Sequence, residues 1–212
     1  MTKAIPHSFG AAVLAVALTF TVSSAGVTAA PQALTPTWTV PMSGVATGTG
    51  HLIAQHVQVG WTMNCDTVEA KVMAHHGSGM TGDGVVAITS IAFAPTGGTC
   101  EGPLGVTMDV TADSVPLKFD AKAYDPRTGV VAGRVSGVAV TVESSDGCVL
   151  TVTGQADATY DNNSGTIALD DRDHLRIATV TPACASAALK AGDSVTVEGS
   201  FDLTPAGVIT SP

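Results

Sequence analysis

The sequence predicts an all-β protein made of two tandem, closely packed β-sandwich (Ig-like) units of about 80 residues, each with one internal disulfide. Three observations carry this: apolar residues that alternate with polar ones, turn residues at short intervals, and sequence features that recur in order about 80 residues apart.

The alternation is plain in three stretches. Val115, Leu117, Phe119, Ala121 and Ala123 alternate with Pro116, Lys118, Asp120 and Lys122. Val195, Val197, Gly199, Phe201 and Leu203 alternate with Thr196, Glu198, Ser200 and Asp202. Val138, Val140 and Val142 alternate with Ala139, Thr141 and Glu143. A period of two puts one face of a strand in a core and the other in water. Val and Thr dominate, and both suit a pleated surface.

The punctuation is dense. Thr81-Gly82-Asp83-Gly84, Thr96-Gly97-Gly98, Asp125-Pro126-Arg127-Thr128-Gly129, Asp146-Gly147 and Asp161-Asn162-Asn163-Ser164-Gly165 all read as turns. About six strands per unit follow from this spacing. The one helical candidate, Ala185 to Lys190, is short.

The duplication rests on four ordered matches. Gly84-Val-Val-Ala-Ile88 corresponds to Gly165-Thr-Ile-Ala-Leu169, and Ile91-Ala-Phe-Ala-Pro-Thr96 to Leu175-Arg-Ile-Ala-Thr-Val180. Asp113-Ser-Val115 corresponds to Asp193-Ser-Val195, and Val57-Gln-Val59 to Val140-Thr-Val142. The units are 42–124 and 125–206, with a short tail over 207–212. A duplicated unit keeps its own bridge, so Cys65 pairs with Cys100 and Cys148 with Cys184. Only a turn lies between the units, which therefore pack closely or share a sheet.

Before the units come two other segments. Residues 1–29 read as a signal peptide: Lys3 supplies positive charge, Ala11 to Val22 is apolar, and Val27-Thr28-Ala29 is small. Cleavage is expected after Ala29, with Ala25 as the alternative. Twelve apolar residues are fewer than the about 20 a membrane helix needs, and no later segment is long enough either. Residues 30–41 form an extended arm with Pro31, Pro36 and Pro41, and it carries Trp38. The expected location is extracellular.

Without Lys3 the chain holds 8 basic and 18 acidic residues, near −10 in net charge. Such a surface argues against nucleic acid, whose phosphates need clustered Lys and Arg. In its richness in Ala, Val, Thr, Gly and Asp with few Lys, the chain resembles small secreted β-proteins of high-GC Gram-positive bacteria. That resemblance implies an address and brings no functional residue with it.

Candidate sites are few. His75-His76, with His51 and His56, offers imidazoles for a metal, but adjacent strand residues point to opposite faces. Asp161-Asn162-Asn163-Ser164-Gly165, followed by Asp170, Asp171, Asp173 and His174, offers oxygens for calcium without the twelve-residue loop of the usual site. Gly192-Asp193-Ser194 resembles the setting of a serine nucleophile. Ala112-Asp113-Ser114 repeats it before the equivalent strand, so a turn explains both. No Gly-x-Ser-x-Gly motif or phosphate-binding glycine loop is present.

What occurs in only one unit is left for function. Trp38, Trp61, His75, His76, Asp170, Asp171, Asp173 and His174 are therefore the expected interface residues. The expected function is a non-catalytic secreted module, without cofactor or metal, that binds another secreted or cell-surface protein. An adaptor or structural component of an extracellular assembly is the narrower form. A small-molecule or metal-binding protein is the first alternative, and a hydrolase or protease inhibitor the second. A deep apolar pocket would favour the first alternative, and an arm packed on its own domain would make the protein self-contained.

Overall fold

The computed structural model describes residues 36–41, 44–95 and 97–212. The expected signal peptide, its cleavage site and residues 30–35 of the arm lie outside the described residues. Among the described residues twelve strands are formed: β1 (Trp38–Val40), β2 (Gly44–His56), β3 (Thr62–Ala74), β4 (Gly77–Met80), β5 (Val86–Phe93), β6 (Cys100–Glu101), β7 (Thr107–Ala112), β8 (Leu117–Asp125), β9 (Val130–Ser144), β10 (Val149–Asp161), β11 (Thr166–Val180) and β12 (Ser194–Thr204). No helix among the described residues is long and apolar enough to cross a membrane.

The strands do not make two sandwiches. β2 pairs with β3, β3 with β5, β5 with β8, β8 with β9, β9 with β10, β10 with β11, β11 with β12, and β12 returns to β2. Every pair is antiparallel, and the result is one closed up-and-down barrel of eight strands. The expected two tandem Ig-like units are overturned by the β8–β9 and β12–β2 ladders. Each half is a four-stranded meander with one apolar face and two open edges. Joining edge to edge buries both faces in one interior and leaves no sheet edge at the joins. The β12–β2 ladder alone runs unbroken from Val195↔His56 to Thr204↔Thr47.

The strand count differs as well. The second half has four long strands in place of about six short ones. β9 shows why. Val131 and Val135 face inward, then Val138, Val140 and Val142 do, and the ladder to β10 shifts between Gly154 and Gln155 opposite Gly137. Gly137 takes a positive φ of 79° there. A bulge reverses the phase of alternation, so one strand reads as two.

The ring closes differently at its two ends. β3 and β9 are bridged by β5 and β8 over one stretch, where Val68 to Ala74 of β3 pair with β5. Over the other they are bridged by β6 and β7, where Asn64 pairs with Glu101 and Met108 with Ser144. Both expected disulfides form, Cys65–Cys100 and Cys148–Cys184, and both sit at the β6–β7 end. Residues 185–190 overlap a short 3-10 helix, Pro182–Ala187, beside Cys184. The other end, the arm end, is covered by β1, which pairs with β4 and bridges Thr39 to Thr210.

Outward positions carry Lys118, Asp120 and Lys122 on β8 and Thr196, Glu198, Ser200 and Asp202 on β12, while the interior is Val, Leu, Ile, Phe and Ala. A barrel facing lipid has the opposite polarity.

Candidate functional site

The barrel interior packs as two layers. The arm-end layer holds Trp38, Val40, Ile88, Leu117, Phe119, Tyr160 and Ile209. The disulfide-end layer holds Met63, Met108, Leu150, Ile177, Leu189 and Phe201 together with all four cysteines. Ile91, Val138 and Leu169 pack against both layers yet stay only partly buried.

An internal cavity of about 160 Å³ runs between and through the layers, lined from all eight ring strands and from β7. Eight strands give an interior that side chains can just fill, or that can hold one small ligand. A cavity of about 150 Å³ lined by aliphatic and aromatic side chains is known to stay dry and to take up benzene. A smaller cavity of about 100 Å³ lies at the arm end, between Phe119, Tyr160 and residues 205–209.

Among the described residues, Gln55, His56 and Trp61 are the polar or part-polar members of the large cavity's lining, all three from around the β2–β3 turn. His56 is buried. Its Nε2–H donates to Asp193 Oδ2 at 3.0 Å, and its Nδ1 accepts from the Val59 N–H at 3.1 Å. Trp61 stacks on the His56 ring at 6.1 Å between centroids. The Trp61 Nε1–H is buried without an acceptor among the described residues. The imidazole is therefore fully engaged. Apart from the Trp61 Nε1–H, the wall offers a ligand dispersion and desolvation.

The expected interface residues scatter. Trp38 is 1% exposed, inside the arm-end layer. The arm carries it inward because β1 pairs with β4 and with the tail, which leaves its ring no surface to offer a partner. Trp61 reaches the cavity instead. His75 and His76 are exposed in the β3–β4 turn, where the His75 N–H donates to the Val85 carbonyl. His51 lies on the outer face of β2 opposite Ser200, and His56 is buried at the disulfide end, so the four histidines are not brought together.

The turn Asp161-Asn162-Asn163-Ser164-Gly165 spends its side chains on the fold. Asn162 bonds the Gly129 and Ile209 carbonyls and the Ile209 N–H, and Asn163 bonds the Thr128 carbonyl. Both Asp-Ser-Val turns clip neighbouring strands: Asp113 accepts from Thr141 and Ser114 donates to the Gly137 carbonyl, while Asp193 accepts from His56 and from the Lys190 N–H.

The acidic stretch of β11 is different. Asp170 pairs with Arg172 at 3.0 Å on the surface, and Asp173 is exposed. Asp171 is fully buried where the β10–β11 ladder breaks between Gly154 and Ala158. It accepts from the Asp157 N–H (3.3 Å), the His174 N–H (3.1 Å) and His174 Nδ1 (2.7 Å). It thus satisfies backbone donors that the broken ladder leaves unpaired. Gly154 is required opposite, since a Cβ there would meet the His174 carbonyl oxygen at 2.2 Å.

Two residues completing this group, Asp157 and Arg134, carry no signal in the sequence. Asp157, Asp171 and His174 have ligand-type atoms within 4.8 Å of one another. Arg134 donates to Asp157 at 2.7 Å and reaches His174 Nε2 at 3.2 Å, so a guanidinium already supplies the positive charge. No known protein family, no curated protein and no solved structure matches this chain.

Proposed function

We propose that this chain is a secreted, non-catalytic β-barrel that holds one small apolar molecule in its interior. The observation that carries it is the cavity of about 160 Å³ inside a ring of apolar side chains. Its size and its almost wholly apolar wall set the ligand class: a largely hydrocarbon molecule of roughly benzene size. Two disulfides indicate an oxidising environment, and the leader-like residues 1–29 support secretion.

Fluorobenzene is a suitable probe. Burying it is worth on the order of 4–5 kcal/mol, a Kd of about 0.2–1 mM. A fluorine NMR titration should show one saturable site. Val138→Phe, which fills the cavity from β9, should abolish it, while the outward-facing Ala139→Phe should not. Absence of saturable binding to the unaltered protein, or undiminished binding to Val138→Phe, would refute the proposal.

Leu104 favours a protein partner as a second function. It is 104% exposed on the β6–β7 turn, directly after the Cys65–Cys100 bridge. If an adaptor role is served there, Leu104→Ser releases a partner recovered from the native secretome.

A further inference from the structure

We infer that ligand enters and leaves the barrel sideways, through a seam in the wall between β5 and β7; this rests on the cavity holding a ligand, as proposed above. Buried side chains stand at both ends of the barrel. Trp38, Val40 and Ile209 belong to the arm-end layer, and Cys184 and Leu189 to the disulfide-end layer.

Along the wall, most ladders are continuous or interrupted by short bulges. The β10–β11 break is stitched by the Asp171 carboxylate and its three hydrogen bonds. Among the described residues the β5–β7 seam has no such stitching. β5 pairs with β8 only over Val86, Ala87 and Ile88. β7 pairs with β6 only through Thr107 and Met108, and its other ladder is to β9. The β5 edge over residues 89–93 and the β7 edge over residues 109–112 therefore have no ladder between them, although they approach within 8 Å. The Ile88↔Leu117 pair bounds the seam on one side and the Cys100↔Met108 pair on the other. Five residues of strand span about 17 Å.

Side chains at the seam fit a passage for an apolar molecule. Ile91 and Phe93 on β5, Val110 on β7 and Val138 on β9 all line the cavity. Ile91, Phe93 and Val138 stay partly exposed, and Thr89 and Ser90 outside are exposed. Parting the seam separates apolar contacts and breaks no ladder hydrogen bond, whereas parting any laddered pair breaks several.

The test is to tie the seam shut. Ala92→Cys with Thr111→Cys, joined by a short flexible bismaleimide, places a bridge across it on the outer face. Thr49→Cys with Asp202→Cys, a laddered pair of β2 and β12, is the control. Exchange of fluorobenzene is read by fluorine NMR. The seam bridge should slow binding and release together by about tenfold or more with an unchanged Kd, and the control bridge should not. Ala92→Trp, which adds bulk at the lip without new cysteines, should slow both rates in the same way. Unchanged rates in both seam variants would overturn the seam and leave the cavity standing. If the unaltered protein fails to bind fluorobenzene, the cavity proposal itself is refuted, and the seam with it.

Discussion

The first half of the barrel and the second contribute four ring strands each, yet they build different walls. The second half, β9 to β12, is a run of strands 11 to 15 residues long, and its widest ladder break, between β10 and β11, is filled by a buried carboxylate. The first half splits. β5 and β8 serve one end, β6 and β7 serve the other, and nothing pairs across the middle. A barrel with one continuous half and one divided half keeps its shape through the first and has its opening in the second.

Three changes test the contrast, and the disulfides come first. They close loops of nearly equal length, with separations of 35 and 36 residues. Chain entropy assigns each about 3–4 kcal/mol. Cys65→Ala with Cys100→Ala and Cys148→Ala with Cys184→Ala should therefore lower the denaturation free energy alike. A much smaller loss for the first pair would show that the divided half is already loosened in the native state.

Next is Asp171→Ala. It removes the acceptor of two backbone N–H groups and of His174 Nδ1, at a cost of about 2–3 kcal/mol. Amide exchange around residues 155–157 and 172–174 should rise toward that of the β5–β7 seam. If exchange there stays slow, the carboxylate is not what keeps the second wall closed.

The smallest effect is at Tyr160, where the second half meets the tail. Its O–H donates to the Gly207 carbonyl at 2.6 Å and its oxygen accepts from the Gly207 N–H. Burial raises the phenol pKa above its ordinary value near 10. The neutral phenol is favoured in the fold, so its contribution is complete below the unfolded pKa of about 10 and is lost as pH rises above it. Thermal unfolding between pH 8 and 11 should show an alkaline loss of stability that Tyr160→Phe reduces. The variant itself costs about 1 kcal/mol at neutral pH. An alkaline limb unchanged in Tyr160→Phe would place that titration elsewhere.

How far residues alone reach is seen in particular places. Both disulfides were legible because copies of a unit keep their own bridge. Two of the four matches also fall on corresponding strands: Gly84 to Ile88 and Gly165 to Leu169 open β5 and β11, and Ile91 and Leu175 continue them, while Asp113-Ser-Val115 precedes β8 but Ser194 and Val195 already lie in β12. The Val-x-Val match does not hold. Val57-Gln-Val59 follows the end of β2, whereas Val140-Thr-Val142 lies within β9. Trp38 was misplaced because proline content describes an extended arm but not what it packs on. Asp171 was noticed for its charge, while its role depends on a ladder break that composition does not display. Arg134 and Asp157 lie on different strands from it and are joined to it only by the register.

The sequence by itself determined the all-β class, most of the turns, the inward faces of the three alternating stretches and both bridges. These are local, set by side-chain alternation and by the backbone demands of Gly, Asn and Asp. Tertiary structure alone decided that two open-edged meanders close into one barrel, that the interior keeps a cavity, and that one seam stays without a ladder. Those outcomes depend on which edges meet and how completely side chains fill the enclosed space. Both are properties of residues far apart in the chain, so no local pattern records them.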